Sequence, residues 1–222
     1  MTTIQKAKLL HQLYQYRSMG FSFIKENRPV ETASESTSLL PDSIEAMKPM
    51  VQSCHLCDLA KGRKHVVFGE GNPQARLMFV GEGPGTSEDE TGRPFVGRTG
   101  ELLNKIIQNV LGLQRSDVYI TNIVKCRPAG NRVPNMDEVD ACKPYLLRQI
   151  ELVKPEIIVA LGSTSYHHLT GEYETPIAQV RGEILTFGDA KLIPTFHPSF
   201  LLRNPSAKKE VFHDMLKVKS LL

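Results

Sequence analysis

The chain has 222 residues, 41% hydrophobic and 23% charged, with a net charge of +3. That length suits one domain with an appended segment, and the composition is that of a globular protein rather than a disordered one. No apolar run approaches the ~20 residues of a membrane-spanning helix, which excludes that class.

The first residues, MTTIQKAKLLHQLYQYRSMGFSFI, intersperse charge with bulk and do not read as a secretory signal, so the default compartment is the cytoplasm. Ile4, Leu9, Leu10, Leu13 and Tyr14 recur at helical spacing over residues 2–18. The stretch PVETASESTSLLPDS, residues 29–43, has linker composition. Residues 1–45 are therefore expected to form a helix and flexible linker, and residues 46–222 the domain proper. Residues 1–45 carry five basic and five acidic side chains, so the positive excess lies beyond them. It gathers at Lys61, Arg63 and Lys64, at Lys125, Arg127 and Arg132, and at Arg203, Lys208 and Lys209. Such clusters suit phosphates, although on charge alone solvated faces are an equal reading.

From Ser43 onward the pattern is α/β. Asp42 or Ser43 can cap a helix leading to Cys54. Strands are expected at Arg76–Val80, Val118–Val124 and Glu156–Leu161, and Glu183–Phe187 with Lys191–Phe196 as a hairpin or edge pair around Gly188-Asp189. Helices are expected at Gly100–Leu111, at Pro134–Val153 with Asn135 as a candidate cap, after Ser163, and at Ala207–Leu222. Strands alternating with helices predict a parallel-type sheet covered on both faces, with ligands at the strand carboxyl ends. Chemistry is thus sought in the loops after Val80, Ile120 and Phe196.

The first of these, Gly81-Glu82-Gly83-Pro84-Gly85, follows a strand as a dinucleotide fingerprint should, but its spacing is GxGxG. The acidic run Glu88, Asp89 and Glu90 then occupies the place where a pyrophosphate needs positive potential. That run reads as helix-capping or solvent-exposed. In the second loop, the Asn122 carboxamide offers a donor beside an acceptor, the complement of a base edge with N–H next to C=O. In the third, His197 lies just past a strand, followed by Pro198 and Ser199. His167 and His168 have no carboxylate or thiol at ligand spacing and read as structural.

Cys54 and Cys57 form a C-x-x-C, and Cys126 and Cys142 are separated by a Pro- and Asn-rich loop. In a cytosolic chain an even set of thiols suggests metal, either structural zinc or an iron–sulfur cluster, with the wide second spacing leaning toward the cluster.

In chain order, CxxC, GEGPG…EDETGRPFVGR, TNIVKCRP, a fourth Cys and HPS together resemble the family 4 uracil-DNA glycosylases, the iron–sulfur branch of that superfamily. The resemblance spans Cys54 to Leu222. The family carries Glu where this chain has Thr86 and Ser87. The resemblance implies a three-layer α/β/α sandwich around a mostly parallel sheet of about four strands. It implies a [4Fe-4S] cluster on Cys54, Cys57, Cys126 and Cys142, and uracil-containing DNA, single- or double-stranded, as substrate. Phe95 would stack on a flipped uracil, Asn122 read its edge, Gly83 line the pocket and His197 face O2. Glu82 would orient the attacking water; better-known uracil glycosylases carry an aspartate where this chain has Gly83. Arg127, Arg132, Ser199 and Arg203 would contact DNA. The expected product is an abasic site, from a monofunctional monomeric enzyme with no membrane partner. The N-terminal helix would tether a replication or repair protein. Rival readings are a catalytically silent DNA-binding relative bearing a cluster or zinc, a nucleotide-using small-molecule enzyme, and a glycosylase acting on hypoxanthine or other deaminated bases.

Overall fold

The computed structural model of the protein describes residues 40–222. The helix expected over residues 2–18 and nearly all of the linker lie outside the described residues. Helix α1 (Ile44–Gln52) opens the domain, capped by the Ser43 hydroxyl accepting from the Ala46 N–H at 3.1 Å. There follow α2 (Leu59–Gly62), strands β1 (Glu70–Gly71) and β2 (Leu77–Gly81), and helices α3 (Thr86–Thr91) and α4 (Arg98–Ile106). Next come β3 (Tyr119–Asn122), α5 (Met136–Val153), β4 (Ile157–Leu161), α6 (Ser163–Thr170) and α7 (Ile177–Val180). Strands β5 (Leu185–Phe187) and β6 (Ala190–Thr195), then α8 (Pro198–Arg203) and α9 (Lys208–Leu221), complete the chain.

The strands form one sheet in the order β1-β3-β2-β4-β6-β5. Its four central strands are parallel, as expected; β1 and β5 add short antiparallel edges. Every residue of β2 and β4 is buried, which is why these strands read as continuous apolar runs rather than as alternations. Successive side chains still point to opposite faces. Met78, Val80, Ile158 and Ala160 pack under α1, α5 and α6, whereas Leu77, Phe79, Ile157 and Val159 pack under α4, α8 and α9. The result is the three-layer α/β/α sandwich.

Register decides where the site falls. Gly81 stands opposite Asn122, Val80 opposite Ala160, and Leu161 opposite Thr195, so the central strands end together. The loops leaving them are brought to one edge of the sheet. Two expectations need correction. Strand β3 ends at Asn122, not Val124, because the chain then turns across β2, with Ile123 N–H bonded to the Gly81 carbonyl at 2.8 Å. Helix α5 begins at Met136, with Pro134 outside it. Asn135 caps Glu138 N–H, and the Glu138 carboxylate returns to Asn135 N–H, both at 2.9 Å.

Candidate active site

A cavity of about 510 Å³ opens where the four central strands end, within the size range of small-molecule sites. Glu82, Gly83, Phe95, Asn122 and His197 all line it, so residues spread over more than a hundred positions meet at one place.

Asn122, the last residue of β3, is 1% exposed. Among the described residues, its Oδ1 and Nδ2 are the buried side-chain polar atoms with no hydrogen-bond partner. A buried amide left unpaired costs ~1–3 kcal/mol, so it points to a ligand that supplies the partners. Gly81 makes room for it. A Cβ there would stand 2.4 Å from Asn122 Oδ1 and 2.6 Å from the Phe95 ring.

Phe95 lies in the turn between α3 and α4 with a φ of 48°, the left-handed region that costs a side-chain-bearing residue ~1–2 kcal/mol. Its ring centroid is 5.8 Å from that of His197. The acidic run helps to hold this turn. The Glu88 carboxylate accepts from Val96 N–H at 2.9 Å, Gly97 N–H at 3.0 Å and Gly85 N–H at 3.2 Å. Of the two readings of the acidic run, capping holds for Glu88 through Gly85 N–H, whereas solvent exposure fails for Glu88 and Asp89, which are buried at 7% and 3% exposure. Asp89 instead accepts from the backbone of Lys64 and His65, and Glu90 alone stays outside, paired with Lys64.

His197 is the N-cap of α8. Its Nδ1 accepts from Ser199 N–H at 3.1 Å and lies 2.8 Å from the Ser199 hydroxyl. With Nδ1 occupied as an acceptor, the single proton of a neutral ring sits on Nε2. Desolvation in the cleft, followed by the positive charge of Arg203, pushes the His197 pKa down to about 4. The ring is a neutral donor across the physiological range.

Glu82 follows β2, and its carboxylate accepts from the Thr164 hydroxyl at the start of α6. Thr164 was not foreseen; it lies 82 residues away, and no local pattern links it to Glu82. At the cavity mouth, Arg132 forms a fork to the Glu138 carboxylate at 2.6 and 2.8 Å, and Ser199 and Arg203 also line the wall. Arg127 stands outside the wall, bonded through Nε to Asn131 Oδ1 at 2.7 Å. His168 is buried and within 3.1 Å of the Tyr173 hydroxyl through Nδ1.

Cys54, Cys57, Cys126 and Cys142 line a second, smaller cavity together with apolar Val51, Leu56 and Val66. They come from the segment after α1, the loop after β3 and the body of α5. None is in a disulfide, and Arg63 donates to Cys126 Sγ at 3.4 Å. Among the described residues, no three His, Cys, Asp or Glu side chains are arranged to hold a single metal ion. Lys125, 1% exposed, lines this second cavity and donates to the carbonyl of Asn122, a residue of the larger one, at 2.7 Å and to Thr121 Oγ1 and Gln149 Oε1 at 2.6 Å each.

A doubly wound sheet that presents an unpaired amide, a flat ring and a neutral imidazole in one recess at its strand ends has the make-up of a small-molecule site for a flat, polar ligand. Comparison with known proteins gives the class its family. The sequence profile of the Uracil DNA glycosylase superfamily matches residues 68–217. A type-4 uracil-DNA glycosylase of Thermotoga maritima is 47% identical over 182 residues, covering 81% of this chain and 94% of the relative. Another, from Saccharolobus solfataricus, is 47% identical over 189 residues, 82% of this chain and 87% of the relative. A type-5 uracil-DNA glycosylase of Pyrobaculum aerophilum is 31% identical over 144 residues, 58% of this chain and 63% of the relative. The chain belongs to the uracil-DNA glycosylase superfamily, with its strongest likeness here to the type-4 proteins.

Proposed function

We propose that the protein is a DNA repair glycosylase that hydrolyses the bond between uracil and deoxyribose, and that the residues lining its larger cavity do so as follows. The observation that carries the residue assignment is the unpaired, buried Asn122 amide beside Phe95 and His197. The glycosidic bond is out of reach inside a duplex, so the nucleotide is swung into the cavity. Phe95 stacks on the base, Gly83 lets the backbone approach it, and Asn122 accepts from N3–H and donates to O4. Cytosine presents the reversed pattern and leaves both amide atoms unpaired, the kind of mismatch that hydrogen-bonding sites reject most strongly.

As the C1′–N1 bond breaks, its electron pair stays with uracil. His197 Nε2–H donates to the O2 atom where negative charge develops. Water adds to C1′ of the sugar cation, and Glu82, held by Thr164, orients that water and receives its proton. The test is an oligonucleotide with one uracil, treated with alkali after incubation. Strand breakage at uracil, and none at cytosine or thymine, supports the reading. No breakage favours a silent DNA-binding relative.

The four thiols fit a [4Fe-4S] cluster in number, donor chemistry and shared void. Bound there, such a cluster supplies a crosslink between the α1 end, the loop that follows Asn122 and α5; the hydrolysis itself transfers no electrons. About four irons per chain and a broad brown absorption are expected from the intact protein, both lost in Cys126→Ser with a lower melting temperature. Zinc without colour in the same assay would assign the thiols to a structural zinc site instead.

The loop Arg127 to Asn135, with Ser199 and Arg203, forms the DNA-facing rim. Arg132 spends part of its charge on Glu138, whereas Arg127 makes a single neutral hydrogen bond and has charge to give. Arg127→Ala is expected to lower the slope of log affinity against log salt by about 0.9 on duplex DNA. An unchanged slope removes Arg127 from the interface. Every residue given a role lies within residues 46–222, the catalytic portion. Among the described residues, no helix is long and apolar enough to cross a membrane.

A further inference from the structure

We infer that Arg115 is a positioning residue for base recognition, acting on uracil only through Phe95; the inference rests on the reading of Phe95 as the stacking platform. Arg115 opens the short turn before β3 and does not line the cavity. Its side chain is 18% exposed, and all of its ordered partners are acceptors on the Phe95 side of the fold or its anchor. Nη1 donates to the Phe95 carbonyl at 3.1 Å and to Asn104 Oδ1 at 2.8 Å, and Nη2 donates to the Pro94 carbonyl. Nε donates to Glu70 Oε1 at 2.6 Å, fixing the plane of the fork from edge strand β1.

Two features make this more than a surface ion pair. Phe95 is in the left-handed region, a conformation it does not keep unless its neighbours determine it. The Phe95 carbonyl is also pressed against α4, where a Cβ on Gly100 would come within 1.9 Å of it. Arg115 therefore grips the two carbonyls at Pro94 and Phe95, while Glu88 grips the two N–H groups that follow. The ring is set from both sides, and only the Arg115 side lies outside the cavity wall. A lysine keeps the charge toward Glu70 but cannot span both carbonyls and Asn104 as a planar fork.

The experiment compares Arg115→Lys, Phe95→Ala and the double variant. Each is measured for single-turnover uracil release, for inhibition by free uracil, and for binding to DNA carrying a tetrahydrofuran abasic analogue. Loss of stacking is expected to weaken release and free-uracil inhibition by about tenfold in Arg115→Lys. Affinity for the abasic analogue, which has no base to stack, should stay within about twofold, and the double variant should be no worse than Phe95→Ala. Glu70→Gln, which keeps the fork but loosens its anchor, provides a milder second variant with loss in the same direction. Additive losses, or an equal fall in abasic-analogue binding, overturn the role of Arg115 and leave Phe95 as the platform. An unimpaired Phe95→Ala overturns the platform reading, and the inference with it.

Discussion

Asn122→Ala is expected to release uracil about 10²–10⁴-fold more slowly than the parent while melting no lower. The rate follows from two lost hydrogen bonds to a base that becomes anionic, each worth ~1.5–3 kcal/mol. The stability follows from the opposite circumstance. In the folded protein both amide atoms are buried without partners, so removing them withdraws a desolvation cost rather than a bond. A gain of ~1 kcal/mol in a domain of this size raises the melting temperature by roughly 2–4 °C. Uracil excision and thermal melting on one preparation provide the check. If activity and melting temperature fall together, Asn122 is a structural residue whose partners lie within the protein.

This opposition between stability and function marks where the sequence can be read and where it cannot. Strands β2 and β4 are legible almost to their ends because both faces are covered and hydrophobicity alone specifies them. The same signal fails at the end of β3. Ile123 and Val124 are as buried as the strand, yet they have left it, and burial does not distinguish a strand from a turn under the core. Helix α3, with the sequence TSEDET, offers no apolar period and is invisible to that test. It is held by capping, with Glu88 reaching back to Gly85.

The site divides in the same way. Residues that would touch the base sit within compact motifs at strand ends, so topology predicts their meeting. Those that hold them act across long gaps: Thr164 on Glu82, Arg115 on Phe95, Gln149 on Thr121 of β3. A hydrogen bond between distant segments leaves no periodicity or spacing to read. The acidic run shows the consequence: sequence allows Glu88 and Asp89 to cap a helix or face solvent, but not to become buried acceptors for Val96 and Lys64 N–H once the loop closes on them.

His197→Ala should lower the rate of uracil release by about 10²–10³, the cost of removing one donor from a developing oxyanion. The pH dependence says which form of the ring donates. Ser199 N–H occupies Nδ1, so the protein donates from Nε2 without a net charge, and the pKa of about 4 keeps it so well below neutrality. The single-turnover rate of the parent should therefore show no rise as pH falls through 6.5. A rise that disappears in His197→Ala would make the imidazolium the donor and refute the neutral tautomer. Stability supplies an independent sign. Between about pH 6.5 and 4 the unfolded chain takes up a proton on His197 that the folded protein does not. The unfolded state then binds more protons, and stability falls as pH falls across that window. In His197→Ala this contribution is absent, so its stability should decline less steeply between pH 6.5 and 4. The two curves converge in slope only if the ring is charged in the folded protein, the condition under which it could act as a cation on uracil.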